Sequence, residues 1–279
     1  MNYQLTQIEK NNIQSSFSSS NYIDLESHTS SVIKKGCNDI FVYTLQAIAC
    51  AKQRKFSIAE GWFLKIIKKD PNNINHLYNL SEMYREKKDF LKAYKILNKS
   101  IKISPNNTKI LLSISVVSYH LNNFKKSFKA LEKVLELEPK NTNAMLQMSL
   151  NFMYTGFFEE ALNMLTKIEG INGSRPEINS DISICYYYLG EIDKAKKFNA
   201  LAGGCLNAIY NNGLINLKLG NLKKGWQLYE AGLNKKRVLN EGQDFFRHLP
   251  YWSPLKKYKS VLVIGEQGIG DEIMFSSLL

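Results

Sequence analysis

The residues with the plainest chemical meaning stand near the end of the 279-residue sequence, in SVLVIGEQGIGDEIMF. The unbroken apolar run SVLVIG has the composition of a strand buried on both faces of a parallel sheet. Gly265, Gly268 and Gly270 follow it and permit a tight turn, and a helix is expected from about Asp271. Free backbone amides at the start of such a helix favour an anion, so the three glycines form a candidate phosphate or ligand loop. Asp271 can equally well cap its own helix, the carboxylate taking up those amides. The glycine spacing is not the dinucleotide fingerprint, which speaks against a nicotinamide or flavin cofactor.

Other reactive side chains are dispersed. Cys37, Cys50, Cys185 and Cys205 form no paired motif and are expected to be reduced and buried. His28, His76, His120 and His248 lack ligand spacing, so no metal is expected. No apolar run approaches the ~20 residues needed to cross a bilayer. The amino terminus has neither a basic start nor an apolar block, and the expected location is the cytoplasm. A net charge of +12 raises the question of nucleic acid, but only five of the 37 basic residues are arginines. Bidentate phosphate and base recognition favours arginine, whereas scattered lysine suits a solvated face, so no specific nucleic-acid partner is expected.

The elements that must position these groups show a period. Pro71, Pro105 and Pro139 stand 34 residues apart, in KKDPNN, KISPNN and ELEPKN. A small residue recurs at the same interval, at Ala59, Ala93, Ser127, Ala161 and Ala195, and Gly225 continues the series after a shorter gap. Four places after the small residue comes a large apolar one, Phe63, Leu97, Leu131 or Leu165, and three places before it comes Phe56, Phe90, Phe124, Phe158 or Ile192. A small side chain suits the point where two helices cross closest, and a proline suits a turn between helices. The pattern resembles the tetratricopeptide repeat, a pair of antiparallel helices of ~34 residues. It predicts an all-α fold, a right-handed superhelix of about six helix-turn-helix units. The pairs fall at about 40–70, 74–104, 108–138, 142–170, 176–204 and 206–234. Residues 1–38 are expected to be disordered or loosely helical, 39–235 to form the array and 236–258 a linker. Gln46 and Asn199 occupy positions that are usually apolar, and the second helix of the fifth pair is expected to end early at Gly203-Gly204.

The first helix of each pair is expected to line a concave surface. Projection of the register places Tyr78, Tyr119, Leu150, Met153, Tyr154, Ile184, Tyr187 and Tyr188 there, an apolar and aromatic stripe. Tyrosine and methionine give large contact areas with a polar handle, which suits a peptide or protein partner. The alternative is that the superhelix or the rest of the chain covers the stripe. Asn79, Ser113, Gln147, Asp181 and Asn211 run alongside and resemble the amide ladder of some repeat-bearing glycosyltransferases.

The seam between repeats and ending carries a second resemblance. GNLKKGWQLYE followed by LPYWSPLKKYKSVLVIGEQGIGDEIMF is similar to a bacterial architecture in which tetratricopeptide repeats precede a heptosyltransferase-like glycosyltransferase. The resemblance spans residues 213–279 and implies that 259–279 are the first strand, glycine turn and helix of a two-domain transferase with a nucleotide-sugar donor. It also implies that Asp271 acts as general base towards the acceptor hydroxyl. One strand and one helix cannot make a sheet. The 279-residue chain is therefore read as a fragment or truncated descendant, not catalytic as it stands and without a cofactor of its own. The leading reading is an interaction module that binds a peptide or protein; the rival is the amino-terminal part of a transferase acting on a glycan, lipid or protein.

Overall fold

The computed structural model describes residues 3–233, and every regular element among them is a helix; no strand occurs among the described residues. The strand, glycine turn and helix expected within 259–279, with Gly265, Gly268, Gly270 and Asp271, lie outside the described residues. Fourteen helices occur among the described residues: α1 Gln7–Ser18, α2 Tyr22–Lys34, α3 Ile40–Lys52, α4 Phe56–Lys69, α5 Ile74–Glu86, α6 Phe90–Ile103 and α7 Thr108–His120. They continue with α8 Phe124–Leu137, α9 Thr142–Thr155, α10 Phe158–Asn172, α11 Pro176–Tyr188, α12 Ile192–Leu201, α13 Leu206–Lys218 and α14 Leu222–Leu233. The chain divides into two compact units, residues 1–171 and 172–279.

Local chemistry sets the helix ends. Two residues beyond each of Pro71, Pro105 and Pro139 stands an asparagine, and Asn73, Asn107 and Asn141 each accept a bond from a first-turn amide of α5, α7 or α9. Such a cap satisfies a donor the helix cannot, and is worth about 1 kcal/mol. The turn inside each pair uses one residue in the left-handed region, at Ser20, Arg54, Lys88, Asn122, Gly156 and Gly190, every 34 residues, and again at Gly220. Glycine takes that conformation freely, whereas the four other residues bear a small steric cost.

That series starts at Ser20, so the repeat begins before Asn38. Tyr22, the first residue of α2, stands 34 residues before Phe56, the first of α4. The amino-terminal segment, expected to be disordered or loosely helical, is instead a helical hairpin in register with the others. Its signature is worn: Leu25 stands at the register position of Ala59 and Cys37 at that of Pro71. Ile13, Leu25 and Val32 are buried with Val42, Leu45 and Ala49 of α3, so the hairpin closes the end of the array with an apolar seam. Gln46 explains itself there. It is buried, and its Oε1 accepts from the hydroxyls of Thr29 and Ser30 on α2, where the units further along carry Leu80 or Ile114.

Within residues 1–171 consecutive first helices touch, α3 on α5, α5 on α7 and α7 on α9, and α4, α6 and α8 each pack between two first helices. The small positions Ala59, Ala93, Ser127, Ala161 and Ala195 are buried, as are Phe63, Leu97, Leu131 and Leu165. Burial of each of the latter stabilises the array by about 1.5–3 kcal/mol. In residues 172–279, α12 ends at Leu201, before the glycine pair, and Asn199 is buried with its side-chain oxygen unpartnered. The close approach of α13 and α14 rests on two glycines. A Cβ added at Gly213 would stand 2.7 Å from the Tyr229 amide nitrogen, and one at Gly225 would stand 2.9 Å from the Leu217 amide nitrogen.

Candidate functional site

The stripe assigned from the register lies on the first helices. In residues 1–171, Tyr78 is on α5, Tyr119 on α7, and Leu150, Met153 and Tyr154 on α9; all but Tyr154 are half-buried. In residues 172–279, Ile184, Tyr187 and Tyr188 share α11. The two groups belong to different compact units.

Five rings gather where α6, α7, α8 and α9 begin or end. Phe90 stacks on His120 at 4.3 Å, and Phe124 stacks on Tyr154 at 5.0 Å. These are the same contact one repeat apart. Tyr119 sits between them, edge-on to His120 at 5.5 Å, to Phe124 at 5.9 Å and to Tyr154 at 5.6 Å. Edge-to-face and offset rings gain up to about 1.5 kcal/mol per pair beyond area burial, so the cluster holds its members in place. Tyr154 nonetheless leaves 62% of its surface open. The periodicity places Phe90 and Phe124 three residues before the small position of their units; their ring contacts with residues thirty places on join successive pairs. Burial, and secondarily Arg85, hold the His120 imidazole below its usual pKa, which favours the neutral ring stacked on Phe90.

The neighbouring stretch of α5 is polar. Arg85 donates through Nε and Nη2 to Oε2 of Glu82, at 3.1 and 2.6 Å, and Ser113 donates to Oε1 at 3.2 Å. Glu82 is thus fully engaged, and Lys109 covers the ring of Tyr78 at 4.0 Å. Burial first, then Glu82, raises the Tyr78 hydroxyl above its ordinary pKa. In the second unit Lys218 lies 4.7 Å from the Tyr187 ring, and Tyr187 meets Tyr188 edge-on at 5.2 Å. The amide ladder does not present itself as a set. Asn211 spends its amide on the backbone oxygen and hydroxyl of Ser180, at 2.9 and 3.1 Å, and Ser113 is bound to Glu82.

The nucleophile and metal chemistry is equally plain. All four cysteines are free, and Cys205 alone is half-exposed. Burial pushes the Cys50 thiol up to about 11, helped by Glu26, and the Cys185 thiol up to about 12. No cluster of three metal-ligating side chains occurs among the described residues, and no helix among them is long and apolar enough to cross a membrane. What the described residues offer is surface for contact: a fixed aromatic cluster beside a saturated ion pair.

Comparison with known proteins bears on this arrangement. Residues 52–134 match the family described as anaphase-promoting complex, cyclosome, subunit 3. No curated protein matches the sequence. A tetratricopeptide repeat protein from Parabacteroides merdae ATCC 43184 is similar in structure with a TM-score of 0.68 at 17% identity, over 82% of this chain and 95% of that one. MamA gives 0.53 at 17% identity, over 66% and 95%. YrrB, described as a TPR protein with an unusual peptide-binding site, gives 0.53 at 18% identity, over 70% and 98%. The chain is a helical repeat protein with the tetratricopeptide fold.

Proposed function

We propose that the protein is an interaction module that holds an extended or helical apolar peptide segment of a partner against the first helices of residues 1–171, anchored on Tyr119 and Tyr154. The observation that carries this reading is the exposure of Tyr154 together with its fixation by Phe124 and Tyr119. A large ring that is both open and immobile gives contact area at little entropic cost, which is what anchors of interfaces share. Half-buried Leu150 and Met153 extend the apolar area on the same helix, and the free cysteines accord with a cytoplasmic setting. Ile184, Tyr187 and Tyr188 offer a second surface of the same kind. The peptide-binding description of YrrB supports the reading by analogy of fold. Pull-down with the full chain, followed by titration of the captured segment, tests it. Tyr154→Ala should weaken capture by about 2 kcal/mol, roughly 30-fold, with helical content unchanged. Adding Tyr187→Ala should abolish it if the second surface takes part. Undiminished capture by the double variant would remove the assigned face.

A second reading rests on the sequence of residues 213–279. If the chain continues into a heptosyltransferase-like domain, a nucleotide sugar is its donor, Gly265, Gly268 and Gly270 hold phosphate and Asp271 serves as base. An open frame past Leu279 that encodes alternating strands and helices would support this, and an immediate stop codon would count against it.

A further inference from the structure

The positive charge of residues 1–171 is not spread evenly over the helices. The second helices α4, α6 and α8 together carry eleven lysines against Glu60, Glu132 and Glu136, and α6 has no acidic residue. The first helices α3, α5, α7 and α9 nearly balance, with Lys52, Arg85 and Lys109 against Glu82 and Glu86. The excess also ends abruptly along the chain. One lysine faces Asp24 and Glu26 in α2, and one faces Glu159, Glu160 and Glu169 in α10. A general bias towards lysine would load every helix alike.

Several of these lysines serve the fold. Lys65 lies 4.3 Å from the Tyr43 ring, Lys99 donates to the Pro71 carbonyl at 3.0 Å, Lys126 lies 5.0 Å from the Tyr94 ring, and Lys133 approaches Glu136 to 3.6 Å. Lys68, Lys95, Lys102 and Lys129 are exposed, and none has a carboxylate partner among the described residues. They also stand in register. Lys68 and Lys102 hold one repeat position, Lys95 and Lys129 another, and Lys95 and Lys102 are about two turns apart on one side of their helix. Leu64 and Leu91, each four residues before one of these lysines, continue the row with 51% and 65% of their surfaces bare. Helices about 20 Å long on neighbouring hairpins about 10 Å apart spread the row over a patch on the order of 20 Å across.

We propose that this outer face docks on an anionic lipid bilayer, with the four lysines at the headgroups and Leu64 and Leu91 in the headgroup boundary. Lysine is a compact, hydrated point charge suited to a diffuse anionic surface. Bare leucines among lysines suit the apolar boundary beneath it. The row contains no aromatic ring on which a nucleobase could stack, which separates it from a nucleic-acid surface. The face is distinct from the first helices that carry the peptide reading, so the two stand or fall separately.

The test is co-sedimentation of the full chain with phosphatidylcholine vesicles, with and without phosphatidylserine. Binding should require phosphatidylserine and fade as salt rises. Replacing Lys68, Lys95, Lys102 and Lys129 by glutamine should lower the partition coefficient about a hundredfold or more. Leu64→Ser with Leu91→Ser should lower it several-fold, with circular dichroism unchanged for both variants, and Tyr154→Ala should leave it as it was. Failure to sediment with phosphatidylserine vesicles at low salt overturns the proposal, as does wild-type sedimentation of the quadruple variant. Tighter binding to an oligonucleotide than to these vesicles, indifferent to Leu64 and Leu91, overturns it in favour of nucleic acid.

Discussion

The same substitution, glycine to alanine, should have opposite signs at two positions of this array. Gly213 lies within α13, and a Cβ there would meet the Tyr229 amide nitrogen at 2.7 Å, the Tyr229 Cα at 3.0 Å and the Leu228 carbonyl carbon at 3.1 Å. All three are backbone atoms of α14, so no side chain can swing aside and the helix itself must retreat. Overpacking of this kind costs about 1–3 kcal/mol, whereas alanine in place of glycine in a helix recovers about 0.5–1 kcal/mol, so with three backbone atoms in the way Gly213→Ala should lose up to about 2.5 kcal/mol. Gly61, within α4, has nothing within 4 Å of its added Cβ. Only the helix-propensity term then acts, and Gly61→Ala should stabilise by about 0.5–1 kcal/mol. Urea titrations followed by far-ultraviolet circular dichroism compare the two. Because repeat arrays can lose one end before the rest, hydrogen exchange of the α14 amides supplies the local reading. A Gly213→Ala chain as stable as the parent, with α14 protection intact, would refute the close-approach argument. So would a destabilised Gly61→Ala chain.

Three further outcomes follow from named contacts. Asn151 is buried where Met83 and Val117 stand in earlier units, and its amide donates to Ser127 Oγ at 2.6 Å while Ser127 donates to the Ser115 carbonyl at 2.9 Å. Ser127→Ala alone should therefore cost about 1–3 kcal/mol by stranding that amide, but Ser127→Ala with Asn151→Val should be near neutral; additivity in the double-mutant cycle would disprove the coupling. Deleting residues 1–38 uncovers Val42, Leu45, Ala49 and Gln46, so the shortened chain should lose protection in α3 and α4 on hydrogen exchange; retained protection would show that the hairpin is dispensable. Burial lowers the pKa of both His76 and His120 from the usual 6.5. The unfolded chain takes up these protons first, so stability is fullest above about pH 6.5 and is lost as the pH falls through the lower native values. His120→Phe should flatten part of that decline in thermal melts, and an unchanged slope would rule His120 out.

Much of the fold was legible because the repeat physics leaves marks at fixed intervals. The boundaries expected at 40–70, 74–104 and 108–138 fall within a residue of the observed pairs, since small crossing residues and prolines admit few substitutes. The candidate stripe was legible as a set of helix positions. Its ring contacts were not, because Phe90 with His120 and Phe124 with Tyr154 join residues thirty apart across successive pairs. The amino-terminal hairpin escaped because Leu25 and Cys37 erase both marks while leaving the turn at Ser20, whose left-handed backbone no residue type announces as glycine does.

By itself, then, the sequence determined the period, the small residues at the crossings and the asparagine and proline punctuation, all consequences of what one helical hairpin needs locally. The tertiary structure alone decided which polar residues are consumed across hairpins: Gln46 by Thr29, Asn211 by Ser180, Glu82 by Ser113. It also decided which large side chains, Tyr154 and Leu91 among them, are left to face outward. Those outcomes depend on the side chains that each hairpin meets on its neighbour, and a single hairpin's own pattern does not contain them.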